Sequence, residues 1–237
     1  MWSSVRFGLA AFLALVPLPV LRAQSAQFEI SKDGHAVGVA SFEFRGTPEG
    51  YESSSMVRIE MQGLNYSLSK NEQLTAADQL RSVLLSAVVN GSAVSVACTP
   101  KKLQILLDFS ANGKSSTSRL AAHGVAVFLP DFDPGALETL LALAATQNNR
   151  DLWAILPKNA GSIEPVELAT YPDQQGTLDG EAIAVHHLVA TIAGAQTDLF
   201  SGPDNQLLQA ELPQEGFALA RKGFVLKPSA KPVAPGE

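Results

Sequence analysis

Cysteine is nearly absent from this sequence of 237 residues. Cys98 is the single cysteine, so no internal disulfide can form and packing has to stabilise the fold. Cys98 alternates with Val94 and Val96 in a strand-like run. This pattern predicts a buried, small hydrophobic side chain and not a nucleophile, because no local base is available to activate the thiol.

Basic residues are also few: 17 Lys and Arg stand against 23 Asp and Glu, and the formal net charge is −6. No stripe of basic residues runs along the chain. This composition argues against nucleic acid as a partner, because phosphate contacts need clustered Lys and Arg. It equally lacks the basic face that holds a helix on an anionic lipid surface.

Motifs that carry catalysis are missing as well. The sequence has no G-x-S-x-G, no G-x-G-x-x-G, no phosphate-binding loop, and no H-x-x-H, H-E-x-x-H or C-x-x-C spacing. We therefore predict a protein that is not an enzyme, with no cofactor and no metal site.

The first 23 residues have the layout of a secretory signal. Arg6 precedes an apolar run from Phe7 to Val20, and Ala23 supplies the small residue at which a signal peptidase cuts. Removal of residues 1–23 takes away two arginines and no acid, so the mature net charge is about −8. We expect export to the periplasm or extracellular space, with no transmembrane segment in the mature chain. Residues 24–226 then form a single β-rich domain, and residues 227–237, with three prolines, form a disordered tail.

Alternating apolar and polar residues dominate the mature chain. Leu103, Ile105, Leu107 and Phe109 share one face, while the residues between them are mostly polar. Pairs such as Asn90-Gly91 tolerate positive φ and join neighbouring strands. The pattern predicts a meander of antiparallel hairpins and not βαβ units.

One helix interrupts the strands. Asp133 is a good N-cap, Pro134 suits the first helical position, and Asn148-Asn149 can end the helix. We interpret Asp131 and Asp133 as capping residues and not as an acid–base pair. The sequence thus predicts an α+β, mainly β fold: a large curved antiparallel sheet, a half-barrel-like meander, with one long helix.

The segment 73–89 has two interpretations. Its apolar residues fit a helical period, but residues 82–89 are rich in β-branched side chains and alternation resumes at Ala93. We favour a strand for residues 82–89.

The run 181–192 predicts a strand that is apolar on both faces. Either both faces are simply packed, or one lines an apolar cavity. His186 and His187 point to opposite faces and cannot bind one metal ion from this strand. The candidate ligand-binding residues are Leu137, Leu141, Trp153, Val185 and His187.

Several motifs together resemble a known group of proteins. They are FEISKDGHAVGVASFEF at 28–44, Leu129-Pro130-Asp131 before the helix, Trp153–Pro157, Leu178–Glu181 and the final hairpin to Phe224. Their order is similar to that of a family of uncharacterised exported bacterial proteins with a domain of unknown function. The resemblance implies an antiparallel half-barrel around a helix, loosely like lipoprotein carriers, and brings no catalytic residues.

Two functions follow as expectations. The first is an exported periplasmic protein that binds an apolar ligand, a lipid or acyl chain, in the half-barrel. The alternative is a non-catalytic structural or interaction module of the cell envelope, whose partner is an envelope protein. The same apolar residues serve both, so a cavity large enough for a ligand is the feature that separates them.

Overall fold

The computed structural model describes residues 24–146 and 151–228. The predicted signal segment, the predicted helix end at Asn148-Asn149 and most of the predicted tail lie outside the described residues. The strands are β1 (Gln24–Lys32), β2 (His35–Thr47), β3 (Gly50–Met61), β4 (Leu64–Thr75), β5 (Leu80–Val89), β6 (Ser92–Lys101), β7 (Gln104–Ala111), β8 (Lys114–Ala121), β9 (Val125–Phe128), β10 (Leu152–Leu156), β11 (Ser162–Leu178), β12 (Glu181–Ile192), β13 (Ala195–Ser201), β14 (Leu207–Leu212), β15 (Phe217–Arg221) and β16 (Phe224–Leu226). The helix α1 spans Pro134–Thr146.

The strands form one large sheet in the order β8-β7-β6-β5-β4-β3-β2-β1-β15-β14-β13-β12-β11-β10-β9. Eight consecutive strands from β1 to β8 form a meander, as the hairpin spacing predicts. The sheet is antiparallel apart from one pair, so the α+β, mainly β prediction is confirmed. The exception is β9 with β10, which run parallel on either side of α1 in the sequence. The expectation that the chain contains no βαβ unit is wrong at this point, because a helix of this length returns the chain to the same end of the sheet.

The hairpin turns have the backbone that their sequences predict. Asn90 and Gly91 between β5 and β6 have φ values of 50° and 82°, and Asn112 and Gly113 between β7 and β8 have 50° and 73°. Positive φ at both central residues matches the twist of the flanking strands, and Asn-Gly tolerates this conformation. The prediction of a strand at 82–89 is confirmed, because β5 covers it and continues directly into this turn.

The sheet has two distinct faces. The inner face carries buried residues such as Phe28, Ala40 and Val57, and α1 packs on it against β2, β3, β9 and β14. The outer face carries the alternate residues, among them Glu29 and Val39. The sheet curls back on itself, since the end strand β8 contacts β11 and the end strand β9 contacts β5. The curved sheet therefore wraps around the helix and encloses one main core.

A smaller second core lies where the chain returns on itself. After β15 the chain turns, and β16 pairs with β11, so strands β11 to β16 form a circuit. Within it Val185, Phe200, Leu208 and Phe224 pack together as a cluster separate from the main core. The two-sided apolar strand predicted at 181–192 is explained by this arrangement: Val185 faces the second core and Ala190 faces the main one, and both are buried.

The helix begins as the sequence predicts. The Asp133 carboxylate accepts hydrogen bonds from the backbone N–H of Gly135 at 2.9 Å and of Ala136 at 3.2 Å. This is an N-cap, which satisfies two N–H groups that have no partner within the helix. None of the described residues belongs to a helix long and apolar enough to cross a bilayer.

Candidate ligand-binding groove

A groove of about 1420 Å³ runs across the outer face of the sheet. Its floor is formed by β1 to β7, and the turn between β15 and β16 forms one wall. Most of its exposed lining residues face away from α1, and the same strands contribute core residues such as Phe28, Ala40 and Val57 to the lining. Its volume exceeds the ~300–1,000 Å³ that is typical of small-ligand pockets.

Cross-strand neighbours form rows along the floor of the groove. Small side chains dominate one row, where Ser69, Ser86, Ser95 and Ser110 pair in register across β4 to β7. Side chains of this size let a bound molecule approach the backbone closely. The row continues through Met56 on β3, which pairs with Ser69. The β4 to β7 part of this row therefore carries only small side chains, and the larger side chain of Met56 follows on β3.

Apolar side chains project into this groove without cover. Val39 is 59% exposed, Met56 is 64% exposed and Val88 is 38% exposed. Exposed large apolar residues are ordinary when single, but a concave surface that gathers several of them is typical of a binding site. The lining as a whole is predominantly apolar.

A second, smaller cavity of about 560 Å³ adjoins the groove. It shares Ser86, Ser95 and Ser110 with the groove and adds Leu84, which is 65% exposed, and Thr117 on β8. The shared serines make the two cavities neighbours on one continuous surface. The concave surface thus reaches from the β15–β16 turn to the edge strand β8.

The five residues that the sequence singled out are not brought together. Leu137 and Leu141 are 7% and 3% exposed and lie in the main core, and Val185 lies in the second core. Trp153 stacks on His123 at 4.0 Å between ring centroids. None of these residues, nor His187, lines either of the two cavities described above. Their proposed role in ligand binding stays a prediction.

His187 forms a pair with an acid on the neighbouring strand. Its Nε2 lies 2.7 Å from the Asp198 carboxylate, and its ring stacks on Phe200 at 4.5 Å. His186 points the other way, as expected, and contacts Asp173 at 3.0 Å. Among the described residues, no hydroxyl or thiol is hydrogen-bonded to either ring. The two pairs therefore lack the nucleophile that a catalytic triad requires and link adjacent strands.

A cluster of buried charges anchors the helix to the sheet. The Lys70 ammonium lies 2.9 Å from the Glu72 carboxylate and 2.8 Å from that of Asp133, and all three side chains are fully buried. Burial disfavours the charged amine, but the Asp133 and Glu72 carboxylates outweigh this effect and raise the pKa of Lys70. Burial raises the pKa of Glu72. Ser53 and Ser55 complete the buried polar surroundings.

The sequence carries a signal for this cluster that was not part of the predictions above. Tyr66, Leu68, Lys70, Glu72 and Leu74 follow one another at a spacing of two residues, so the charges fall on the apolar face of β4. Charged residues in that register predict a buried pair that needs a partner from another element. Asp133 is that partner, and the Lys70 cluster acts as a structural anchor beneath the helix start.

Within residues 24–146 and 151–228, no group of three or more His, Cys, Asp or Glu side chains is placed to hold a metal ion. The outer-face groove is the larger of the two cavities described above. Comparison with known proteins gives no match to a family model, a curated protein or a solved structure. The resemblance to exported half-barrel proteins stays a prediction.

Proposed function

We propose that this protein binds an apolar or amphipathic ligand with a long acyl chain in the outer-face groove. The observation that carries the proposal is the volume of about 1420 Å³ together with uncovered Val39, Met56 and Val88. The main core, in contrast, is filled by α1 and the inner-face side chains. A chain laid across the groove would cover the exposed apolar surface that the fold leaves open.

The energetics favour a chain-like ligand. The groove extends over seven strands, or about 29 Å at the usual ~4.8 Å between neighbouring strands. Burial of ten methylene groups contributes about 8 kcal/mol at ~0.8 kcal/mol per group. Loss of translational and conformational freedom opposes binding by ~4 kcal/mol or more, so burial of these ten groups alone gives a dissociation constant of about 1 mM.

We further propose that the protein performs this role outside the cytoplasm. Residues 1–23 carry the pattern of a secretory signal. In that setting a binding protein can shield an acyl chain from water. Determination of the N-terminus of the protein from a cell-envelope fraction tests this step: an N-terminus near Gln24 supports it, and one at Met1 contradicts it.

The binding proposal is tested by titration of palmitate into the chain 24–237, followed by isothermal calorimetry. The Met56→Glu variant places a charge in the middle of the groove and should abolish the binding heat. The matched control is Leu103→Glu, which changes an 82% exposed residue in a turn outside both cavities and should bind like the wild type. Both positions are exposed, so neither variant should unfold the protein, and thermal unfolding verifies this.

Native mass spectrometry of protein purified from its own host supplies an independent result. A reproducible co-purified lipid that is lost in Met56→Glu and kept in Leu103→Glu supports the proposal. Absence of any binding heat and of any co-purified lipid in the wild type contradicts it. That result favours the alternative of a structural module that docks on an envelope protein.

A further inference from the structure

The charged residues of the groove are confined to one end. Of the side chains that face it, Glu29, Arg58 and Lys222 are charged, and they lie on β1, on β3 and in the β15–β16 turn. The part of the lining contributed by β4 to β7 contains no charged residue. The groove therefore has a polar end and an uncharged end, which is the arrangement that an amphipathic ligand requires.

The polar end carries more cations than acids, in a chain of opposite overall charge. Two basic side chains face the groove there and one acid does, although the whole chain has 17 basic against 23 acidic residues. Arg221 also contributes to the lining, but its guanidinium donates to Gln206 at 2.7 Å. Because it pairs with the inner-face residue Phe28, its side chain belongs to the other face of the sheet.

Arg58 and Lys222 are both available for a ligand. Among the described residues, neither has a carboxylate within 4.0 Å. The backbone N–H of Lys222 donates to the carbonyl of Gln27 at 2.8 Å, so the turn that carries the lysine is fixed against β1. Arg58 pairs with Val39 across β2 and β3, which places the guanidinium directly beside an exposed apolar side chain of the groove.

We infer that the ligand carries an anionic head group, a carboxylate or a phosphate, which Arg58 and Lys222 bind while its chain extends over β4 to β7. This inference rests on the proposed function. The guanidinium suits either head group, because its planar set of donors matches two oxygens at once. The Lys222 ammonium adds a second charge at the wall. Glu29 lies between them and opposes an anionic head group, so the two cations must outweigh this one acid where the head group binds.

The experiment compares three ligands that share one palmitoyl chain. Palmitate presents a carboxylate, 1-palmitoyl lysophosphatidylglycerol presents a phosphate, and 1-palmitoyl glycerol is neutral. Calorimetry below the critical micelle concentration gives the affinity of the wild type for each. We expect at least one anionic ligand to bind about tenfold or more tightly than the neutral one, since each factor of ten corresponds to about 1.4 kcal/mol. Whichever anion binds more tightly identifies the head group.

Charge-removing variants identify the residues. Arg58→Gln and Lys222→Gln should each weaken the anionic ligand and leave the neutral ligand unchanged, and the double variant should remove the preference. Lys101→Gln, at an exposed strand end outside both cavities, is the matched control and should change neither affinity.

The outcomes separate this inference from the proposed function. Equal affinity for all three ligands, unchanged in the double variant, overturns the head-group inference and leaves chain binding in place. Failure of all three ligands to bind overturns both. A preference that persists in the double variant shows that other groups select the anion and also overturns the assignment to Arg58 and Lys222.

Discussion

Replacement of Lys70 by methionine is the perturbation with the largest expected effect on stability. Lys70 is fully buried between Glu72 and Asp133, at 2.9 Å and 2.8 Å. Methionine is similar in length and apolar, so the variant fills much of the same space while it removes the only cation of the cluster. Glu72 and Asp133 are then left as two buried acids without a counter-charge.

The expected cost follows from the loss of one partner of a buried ion pair, which is about 3–5 kcal/mol. Asp133 retains the N–H groups of Gly135 and Ala136, so the penalty falls mainly on Glu72. Burial already raises the pKa of Glu72, and loss of Lys70 raises it further. For a domain of about 200 residues, 1 kcal/mol shifts the melting temperature by ~2–4 °C, so we expect a decrease of about 6–20 °C.

The double variant Lys70→Met/Glu72→Leu separates lost charge pairing from lost packing. It removes the abandoned carboxylate and should recover most of the lost stability, within about 1–2 kcal/mol of the wild type. Urea unfolding followed by circular dichroism at neutral pH measures all forms. Lys101→Met, at an exposed position, is the control and should change stability by less than about 0.5 kcal/mol.

Two results would refute this reasoning. A cost below about 1 kcal/mol for Lys70→Met would show that the cluster does not anchor the helix. A double variant less stable than the single one would show that Glu72 is satisfied by groups other than Lys70.

Three further predictions concern buried groups elsewhere. Burial raises the pKa of Glu138 from 4.5, so its contribution to stability is present in acid and lost as the pH rises through the raised value. Glu138→Gln keeps an acceptor for the Leu207 N–H and does not ionise, so its stability relative to the wild type should increase as the pH rises above about 4.5, as measured by urea unfolding. Burial raises the pKa of the Cys98 thiol to about 12, so Ellman's reagent should label it only after unfolding. Gly38→Ala should cost about 1–3 kcal/mol in urea unfolding, because the new Cβ would lie 2.2 Å from the Arg58 carbonyl oxygen.

Each of these three predictions has an outcome that would contradict it. A constant stability difference between Glu138→Gln and the wild type across the pH range would show that Glu138 does not titrate differently on folding. Rapid labelling of native Cys98 would contradict its burial. Gly38→Ala with wild-type stability would mean that β2 and β3 separate without cost.

Local features of the fold follow directly from the sequence. Alternation predicted the strands, Asn-Gly pairs predicted the turns, and Asp133 with Pro134 predicted the helix start. All of these depend on a few neighbouring residues and on backbone conformations that those residues favour. The strand at residues 82–89 was predictable for the same reason, because its β-branched residues and the turn that follows it favour their backbone conformations locally.

Features that depend on distant strands were not predictable. Pairing of β1 with β15, and of β16 with β11, closes the sheet and builds the second core. β9 and β10 flank the helix in the sequence and pair in parallel, and the pattern of hairpins does not predict a parallel pair. Pairing partners that lie far apart in the sequence are selected by packing and curvature, and a single sequence does not encode them in any local pattern.

The groove was not predictable for the same reason. Apolar residues on the helix and on β12 predicted a lining, but such residues also fill a core, and Leu137 and Leu141 are in the main core. The groove instead combines small outer-face serines with single exposed residues such as Met56 on different strands. Only the register between strands brings them together, since the sequence shows each as an ordinary solvent-facing position.

Photocrosslinking with a palmitate that carries a diazirine in its chain tests the central claim most directly. After irradiation, mass spectrometry of the digested protein locates the adducts. We predict adducts in residues 35–61 and 80–101, which contain Val39, Met56 and Val88, with competition by unlabelled palmitate. Adducts confined to residues 134–156, which contain α1, would place the ligand beneath the helix and contradict the account.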